Sequence, residues 1–332
     1  FTRQGFFGPR QPKRVVQDVS FDIKPRETFA LVGESGSGKS TIARTIAGLL
    51  RPVNGTLQFQ DQDISMPVEK RTRELQRELQ LVFQNPDASL NPRQRVRDII
   101  GRPLEFFFKL AGAEKQKRIE QLLADIRLDK SYANRYPDEL SGGERQRIAI
   151  ARALAAGPNL MLCDEVLSAL DVSVQADILD LLRTLQAEHE LAYLFISHDL
   201  AVVRALAHRV GVLYRGELVE VGTVEEVYAP PYHPYTAMLL SAAPEINTET
   251  ELSAAVRTDP TAITTGQHTA CPFADRCPMK LGKICDEEQP PWQFTSDTHA
   301  LRCHIPLADL RQRELTPQQL VPIQETVPAT NA

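Results

Sequence analysis

Gly33-Glu34-Ser35-Gly36-Ser37-Gly38-Lys39-Ser40 fills every fixed position of the GxxxxGK[ST] pattern. Glycines at this spacing let successive backbone N–H groups turn inward and face phosphate oxygens. The start of the following helix adds a partial positive charge at the same point. Lys39 is expected to reach the β- and γ-phosphates, and Ser40 to place its hydroxyl on Mg²⁺. Thr41 follows directly and shares this first helical turn. A second candidate loop, Leu140-Ser141-Gly142-Gly143-Glu144, stands before the strongly helix-forming Arg145 to Leu154 stretch. Ser141 and Glu144 have the spacing of a capping box. Gly142 and Gly143 are not needed for a cap and weaken a first helical turn, so they point to close backbone approach by another group, of which a γ-phosphate is the natural candidate.

The elements that must carry these loops are readable around them. Thr28-Phe29-Ala30-Leu31-Val32 is short, apolar and β-prone, and it ends at Gly33. Asn159-Leu160-Met161-Leu162-Cys163 is a second buried strand that delivers Asp164 and Glu165. The first acid is placed to hold Mg²⁺ and the second to polarise the water that attacks a γ-phosphate. A pair of acids there is costly unless a cation or donors lie nearby. Ala192-Tyr193-Leu194-Phe195-Ile196-Ser197 leads to His198, and ligands gather at the carboxyl ends of strands in open parallel sheets.

With these motifs in place, residues 17–227 resemble the ABC-type ATPases. Leu140-Ser141-Gly142-Gly143-Glu144 resembles the family signature, Gln84 the Q-loop glutamine, Ser168-Ala169-Leu170-Asp171 the D-loop, and His198 the switch histidine. The resemblance implies an α/β P-loop ATPase core with a parallel sheet, an antiparallel β subdomain, a helical subdomain inserted over 85–140, and a small cysteine-rich C-terminal extension. The ATPase domain is expected over 1–228, the extension over 229–314, and a flexible tail over 315–332. The resemblance also implies that Glu165, His198, Lys39 and Gln84 are catalytic, and that Ser40, Gln84 and Asp164 surround Mg²⁺. Val166-Leu167 stands where the family usually has Pro-Thr, which predicts altered packing near the D-loop with the chemistry intact.

Gln84-Asn85-Pro86-Asp87-Ala88-Ser89-Leu90-Asn91-Pro92-Arg93 is turn-rich on physical grounds and resembles the extended Q-loop of oligopeptide, dipeptide and nickel importer ATPases. Residues 232–244 resemble the helical extension of that group. The implied partners are a second ABC ATPase domain, two transmembrane permease subunits and, through them, an extracytoplasmic solute-binding protein, at the cytoplasmic face of the membrane. Phe106, Phe107 and Phe108 are candidates for a groove that receives the permease, although three consecutive aromatics cannot share one helix face.

Cys163 reads as a small buried hydrophobe. Cys271, Cys277, Cys285 and Cys303 crowd the final quarter with C-x₅-C-x₇-C-x₁₇-C spacing. Density of this kind beside a cytosolic nucleotide points away from disulfides. Four thiolates suit either Zn²⁺ or an iron–sulfur cluster, and the absence of a CxxC knuckle counts against zinc. Resemblance to tails of the peptide-importer branch implies a [4Fe–4S] cluster.

The 332 residues, 42% of them hydrophobic, suffice for an ATPase core and a small appended domain. A formal net charge of −5 argues against nonspecific nucleic-acid binding, which needs many cationic contacts. No apolar run is long enough to span a bilayer and no secretory signal is visible, so a membrane role requires another chain. The chain begins at Phe1 without the usual upstream strand. That suggests the second ATPase half of a fused polypeptide, with Phe1 as the adenine-stacking aromatic and Phe6 or Phe7 as alternatives. A nucleic-acid-acting ABC ATPase and a weakly hydrolysing regulatory half are the competing functions.

Overall fold

The computed structural model describes residues 2–3, 10–11, 14–242 and 270–312. Phe1, Phe6, Phe7 and the 315–332 tail lie outside the described residues, and with them the adenine-stacking assignment.

The core is one eight-stranded sheet. In chain order its strands are β1 (Thr28–Val32), β2 (Leu79–Val82), β3 (Leu160–Asp164), β4 (Ala192–Ile196), β5 (Arg209–Tyr214), β6 (Glu217–Thr223), β7 (Trp292–Phe294) and β8 (Ala300–Arg302). They lie side by side as β7-β8-β6-β5-β1-β4-β3-β2. The five strands from β5 to β2 are parallel, and β6, β8 and β7 continue the sheet antiparallel. Strands β1, β3 and β4 are buried at every position. Helices covering both faces of a parallel sheet leave no wet side, which is why these strands read as continuous apolar runs without alternation.

Strands β1 to β4 are each followed by helical segments, whereas β5 turns directly into the antiparallel β6. The helices that matter for the site are α1 (Lys39–Ile46), α2 (Val96–Phe108), α3 (Gly112–Asp125), α4 (Gly142–Leu154), α5 (Val172–His189), α6 (Leu200–Leu206) and α7 (Pro234–Ser241). Helices α2 and α3, with two short 3₁₀ turns, form the expected helical insertion, whose Ile99, Ile100, Leu104, Ile119, Leu122 and Leu123 are buried in the main core. The antiparallel elements outside the sheet are small pairs, Gln58–Phe59 with Gln62–Asp63 and Thr2–Arg3 with Arg10–Gln11.

The C-terminal segment is built into the core more closely than an appended module. Strand β8 pairs with β6, aligning Ala300 with Val221 and Leu301 with Glu220. Leu301 is fully buried and packs with Met279, Cys303, Ile305 and Leu310. Below the strands, the fully buried Glu220 carboxylate accepts the His233 N–H at 2.8 Å and lies 2.8 Å from His299 Nε2. These partners satisfy a carboxylate that burial drives toward its neutral form. Truncating Leu301 to Ala is expected to cost about 2–5 kcal/mol of unfolding free energy in urea titration. A cost below about 1 kcal/mol would mean that Leu301 does not anchor the C-terminal cluster.

Candidate functional site

Parallel register brings the chemistry together. Leu31 pairs with Ile196 and Asp164 also pairs with Ile196, so β1, β3 and β4 end at one edge of the sheet. Glu165 N–H donates to the Ile196 carbonyl at 3.1 Å, and Ser197 N–H to the Leu31 carbonyl at 3.3 Å, which ties the three strand ends together beyond the ladder. The phosphate loop leaves β1, the two acids leave β3, and His198 leaves β4.

Gly33 has φ +143°, and a Cβ there would lie 2.1 Å from the Leu213 carbonyl oxygen. Gly38 has φ +108° at the N-cap of α1, where no side chain caps the helix. Within the loop Gly36 also has positive φ, Ser35 is exposed, and Thr41 accepts Thr45 Oγ1 on its carbonyl. Lys39 is 4% exposed and its ammonium donates to the carbonyls of Gly33 at 2.6 Å and Glu34 at 2.9 Å. Burial lowers its pKa, and the negative charges of Glu165, Asp164 and Glu34 oppose that shift. The Ser37 hydroxyl is buried and has no hydrogen-bond partner among the described residues. An uncapped helix start, an orphaned hydroxyl and a buried ammonium in one loop fit a phosphate chain.

Ser40 Oγ donates to Asp164 Oδ1 at 2.7 Å. Asp164 is almost fully buried, and desolvation raises its pKa against the effects of Ser40 and Arg44. A hydroxyl and a carboxylate oxygen at this separation fit Mg²⁺, a cation that takes one or two protein ligands and completes its shell with phosphate oxygens and water.

Glu165 sits in left-handed backbone at φ 47°, a conformation rare for this residue type. It turns its carboxylate back toward Gln84, whose Nε2 donates to Oε2 at 2.7 Å. The same oxygen lies 3.8 Å from His198 Nδ1, an ion-pair distance. His198 holds the Glu165 carboxyl below its usual range, and Glu165 lifts the His198 pKa, with burial opposing both. Asp199 caps α6 by accepting from Ala201 N and Val202 N, which fixes the turn that carries His198.

The signature segment is elsewhere in the molecule. Ser141 caps α4 by accepting from Glu144 N at 3.3 Å, while Glu144 accepts the Ser141 N–H at 2.7 Å and the Tyr132 hydroxyl at 2.5 Å. These bonds hold Glu144 ionised, Tyr132 having the largest effect. Among the described residues no hydrogen bond joins 141–144 to the phosphate loop. The need for glycine is also partly internal: a Cβ on Gly143 would lie 2.6 Å from Val174 Cγ1 of α5, and one on Gly142 would touch Leu170. Gly142 of the signature, Gln84 and the D-loop residues Ser168, Ala169 and Leu170 line one cleft, bounded by the Arg145–Asp87 ion pair at 2.7 Å. Ser168 N and Oγ both donate to the Glu165 carbonyl, and Asp171 begins α5. Val166 and Leu167 are buried in the core, where their bulk affects packing.

The aromatic trio lines no part of this cleft. Phe106 and Phe108 are half exposed, covered by the Arg73 and Arg77 guanidinium groups. Cys163 is fully buried with its thiol pushed up to about 12. Among the described residues no three His, Cys, Asp or Glu side chains gather at a metal-ion site, and this includes Cys271, Cys277, Cys285 and Cys303. The expected metal centre is therefore not preformed. Burial pushes the Cys303 thiol up to about 12, and the charges of Cys277, Cys271 and Cys285 push it the same way.

Sequence reasoning missed two residues that touch the phosphate loop from the C-terminal side. Tyr235 accepts the Glu34 N–H at 2.9 Å, and Arg276 grips the Glu34 carboxylate through both terminal nitrogens at 2.9 Å. Nothing in their spacing pairs them with a loop some two hundred positions earlier.

Residues 16–168 match the ABC transporter family model, and residues 219–285 match the oligopeptide/dipeptide transporter C-terminal region. The oligopeptide transport ATP-binding protein AppF of Bacillus subtilis is 43% identical over 299 residues, covering 88% of this chain and 89% of its own. This chain belongs to the ABC transporter ATP-binding subunits. Within that family, OppF of Haemophilus influenzae is 40% identical with 90% of each chain covered, and the di/tripeptide protein DppF of Pseudomonas aeruginosa is 39% identical, covering 91% of this chain and 93% of its own. The ATP-binding cassette MJ0796, solved as a dimer after hydrolysis with ADP and Pi bound, superposes with TM-score 0.58 at 31% identity, covering 63% of this chain and 90% of its own. The chain is thus an ABC-type ATPase. Among its described residues, no helix is long and apolar enough to cross a membrane.

The Glu165–His198 pair carries a pH signature. The raised His198 pKa contributes stability that is complete below the ordinary value of 6.5 and lost as pH rises through the folded value. The depressed Glu165 contribution is present above 4.5 and lost as pH falls through its own lower value. Replacing Glu165 with Gln is expected to lower the His198 pKa in an NMR titration of the imidazole. An unchanged pKa would mean that Glu165 does not raise it.

Proposed function

We propose that this chain powers peptide import as the ATP-hydrolysing subunit of a membrane transporter. The observation that carries the reading is the convergence of Lys39, Ser40–Asp164, Gln84–Glu165 and His198 on one sheet edge. Backbone N–H groups within 35–41 and the Lys39 ammonium would bind the phosphates, while Ser40, Asp164 and Gln84 would hold Mg²⁺, whose charge would offset that of the phosphates. Glu165 takes the proton of the attacking water, with Gln84 and His198 orienting its carboxylate. The bond from the γ-phosphorus to the bridging oxygen breaks as the one to water forms, leaving ADP and phosphate. A facing ATPase domain supplies its own signature loop to this nucleotide, as Ser141-Gly142-Gly143-Glu144 does for the partner's.

The relatives' names support peptides as the solute class. In this reading 1–228 forms the ATPase domain, 85–140 its helical arm and 229–314 the importer-type extension. One of two permease subunits docks a short helix in the groove beside Gln84, on the cytoplasmic face, and the permease receives peptide from an extracytoplasmic binding protein. The finer reading of the extension is a [4Fe–4S] cluster on Cys271, Cys277, Cys285 and Cys303, which rests on the resemblance of the tail. Four thiolates spread around a cluster need more room than around one Zn²⁺.

The reading predicts copurification with a multispanning membrane protein, and ATP hydrolysis stimulated by peptide-loaded binding protein in the reconstituted assembly. Hydrolysis by the isolated chain that DNA stimulates would contradict it. For the thiols, anaerobically purified protein is expected to be brown with about four iron atoms per chain. Colourless protein with stoichiometric zinc would exclude the cluster.

A further inference from the structure

The phosphate loop is held from outside the ATPase motifs. Glu34, its second residue, is fixed at three points. Its N–H donates to the Tyr235 hydroxyl at 2.9 Å, its carbonyl accepts the Lys39 ammonium at 2.9 Å, and its carboxylate receives a two-pronged Arg276 fork with both contacts at 2.9 Å. Neither C-terminal partner is a loose surface group. Tyr235 is fully buried, its ring 4.5 Å from Tyr214 and 5.4 Å from Phe273. Arg276 ends the 3₁₀ turn Ala274–Arg276, directly after the buried Phe273, and its Nη1 also donates to the Tyr214 hydroxyl at 3.4 Å.

We propose that Arg276 and Tyr235 are positioning residues for nucleotide binding, so that the C-terminal segment forms the outer wall of the phosphate loop. Two physical effects follow. The loop binds phosphate through backbone N–H groups whose directions must be set beforehand, and anchoring Glu34 reduces the ordering that binding would otherwise require. Glu34 also carries a negative charge in a loop that receives a polyanion. A planar guanidinium paired to both of its oxygens neutralises that charge and turns it away, which a lysine cannot do in two-pronged fashion. Both side chains of the pair are 27% exposed, so solvent screening keeps the effect moderate. Binding linkage is reciprocal: if the C-terminal segment favours nucleotide, nucleotide favours docking of that segment. The inference needs ATP binding alone, and neither the transported solute nor what the thiols hold.

The test measures MgADP affinity of the full chain by equilibrium titration, with steady-state KM and kcat for MgATP. Arg276→Ala is expected to weaken MgADP about 3- to 10-fold, with the loss in KM exceeding that in kcat. Arg276→Lys should fall between Ala and the native residue. Arg276→Glu should bind worst, and adding Glu34→Arg to it should recover part of the loss, because the pair is restored in reverse. Unchanged affinity in Arg276→Ala, a loss confined to kcat, or no recovery in the reversed pair would overturn the proposal. A second measurement needs no variant. MgADP should slow amide hydrogen exchange at 234–241 and 270–276 in the native chain, and exchange unaffected by nucleotide would overturn the proposal equally.

Discussion

The constraint on which the rest depends is the parallel register of Thr28–Val32, Leu160–Asp164 and Ala192–Ile196. Because Leu31 and Asp164 both stand beside Ile196, three strands end together and release their loops over one small volume. A shift of one residue in any of them would reverse its inward and outward side chains and move its reactive group by about 3.3 Å. Complete burial of all three strands sets the register firmly, since every position has an apolar neighbour to lose. What is assembled at that edge is electrostatically demanding. A buried ammonium at Lys39 and carboxylates at Asp164 and Glu165 act on one another: burial lowers the Lys39 pKa against both acids, burial raises that of Asp164 against Lys39, and His198 with Lys39 lowers that of Glu165 against burial. That balance suits a site into which a metal-bound polyanion is inserted, because the fixed charges need not reorganise when it arrives.

In the proposed reading the edge is half of a site. Ser141–Glu144 is engaged with its own cap, with Tyr132 and with packing on α5, and among the described residues no hydrogen bond joins it to the phosphate loop. Close packing on Val174 accounts for glycine at 143 within the chain, and the proposed facing domain adds the need for an unobstructed helix start. The D-loop joins the cleft to the acid: Ser168 hangs from the Glu165 carbonyl, and Leu170 lines the cleft shared with Gln84.

Much of this was legible in the chain itself. Gly33, Gly38 and Lys39 could be placed because a phosphate loop demands particular backbone angles, and glycine is the residue that supplies them. Asp164, Glu165 and His198 could be placed because apolar strands of ordinary length end just before them. The C-terminal strands were not legible: Trp292–Phe294 and Ala300–Arg302 are three residues each and carry no period to read. Their place in the main sheet follows from long-range pairing with β6. The same holds for Tyr235 and Arg276, whose partner Glu34 is remote in sequence, and for Phe106 and Phe108, whose exposure depends on arginines from another helix. Local backbone chemistry leaves a trace in sequence, and contacts between distant segments leave little.

The central claim is that the Glu165 carboxylate, oriented by Gln84 and His198, is the base that activates the attacking water. It is tested most directly by ATP turnover of the Glu165→Gln variant in the assembled transporter, with the bound nucleotide identified after turnover. Loss of a positioned general base is expected to slow hydrolysis about 10²- to 10⁴-fold, while ATP remains bound and unhydrolysed. Hydrolysis at the native rate would contradict the account, and would show that another group activates the water.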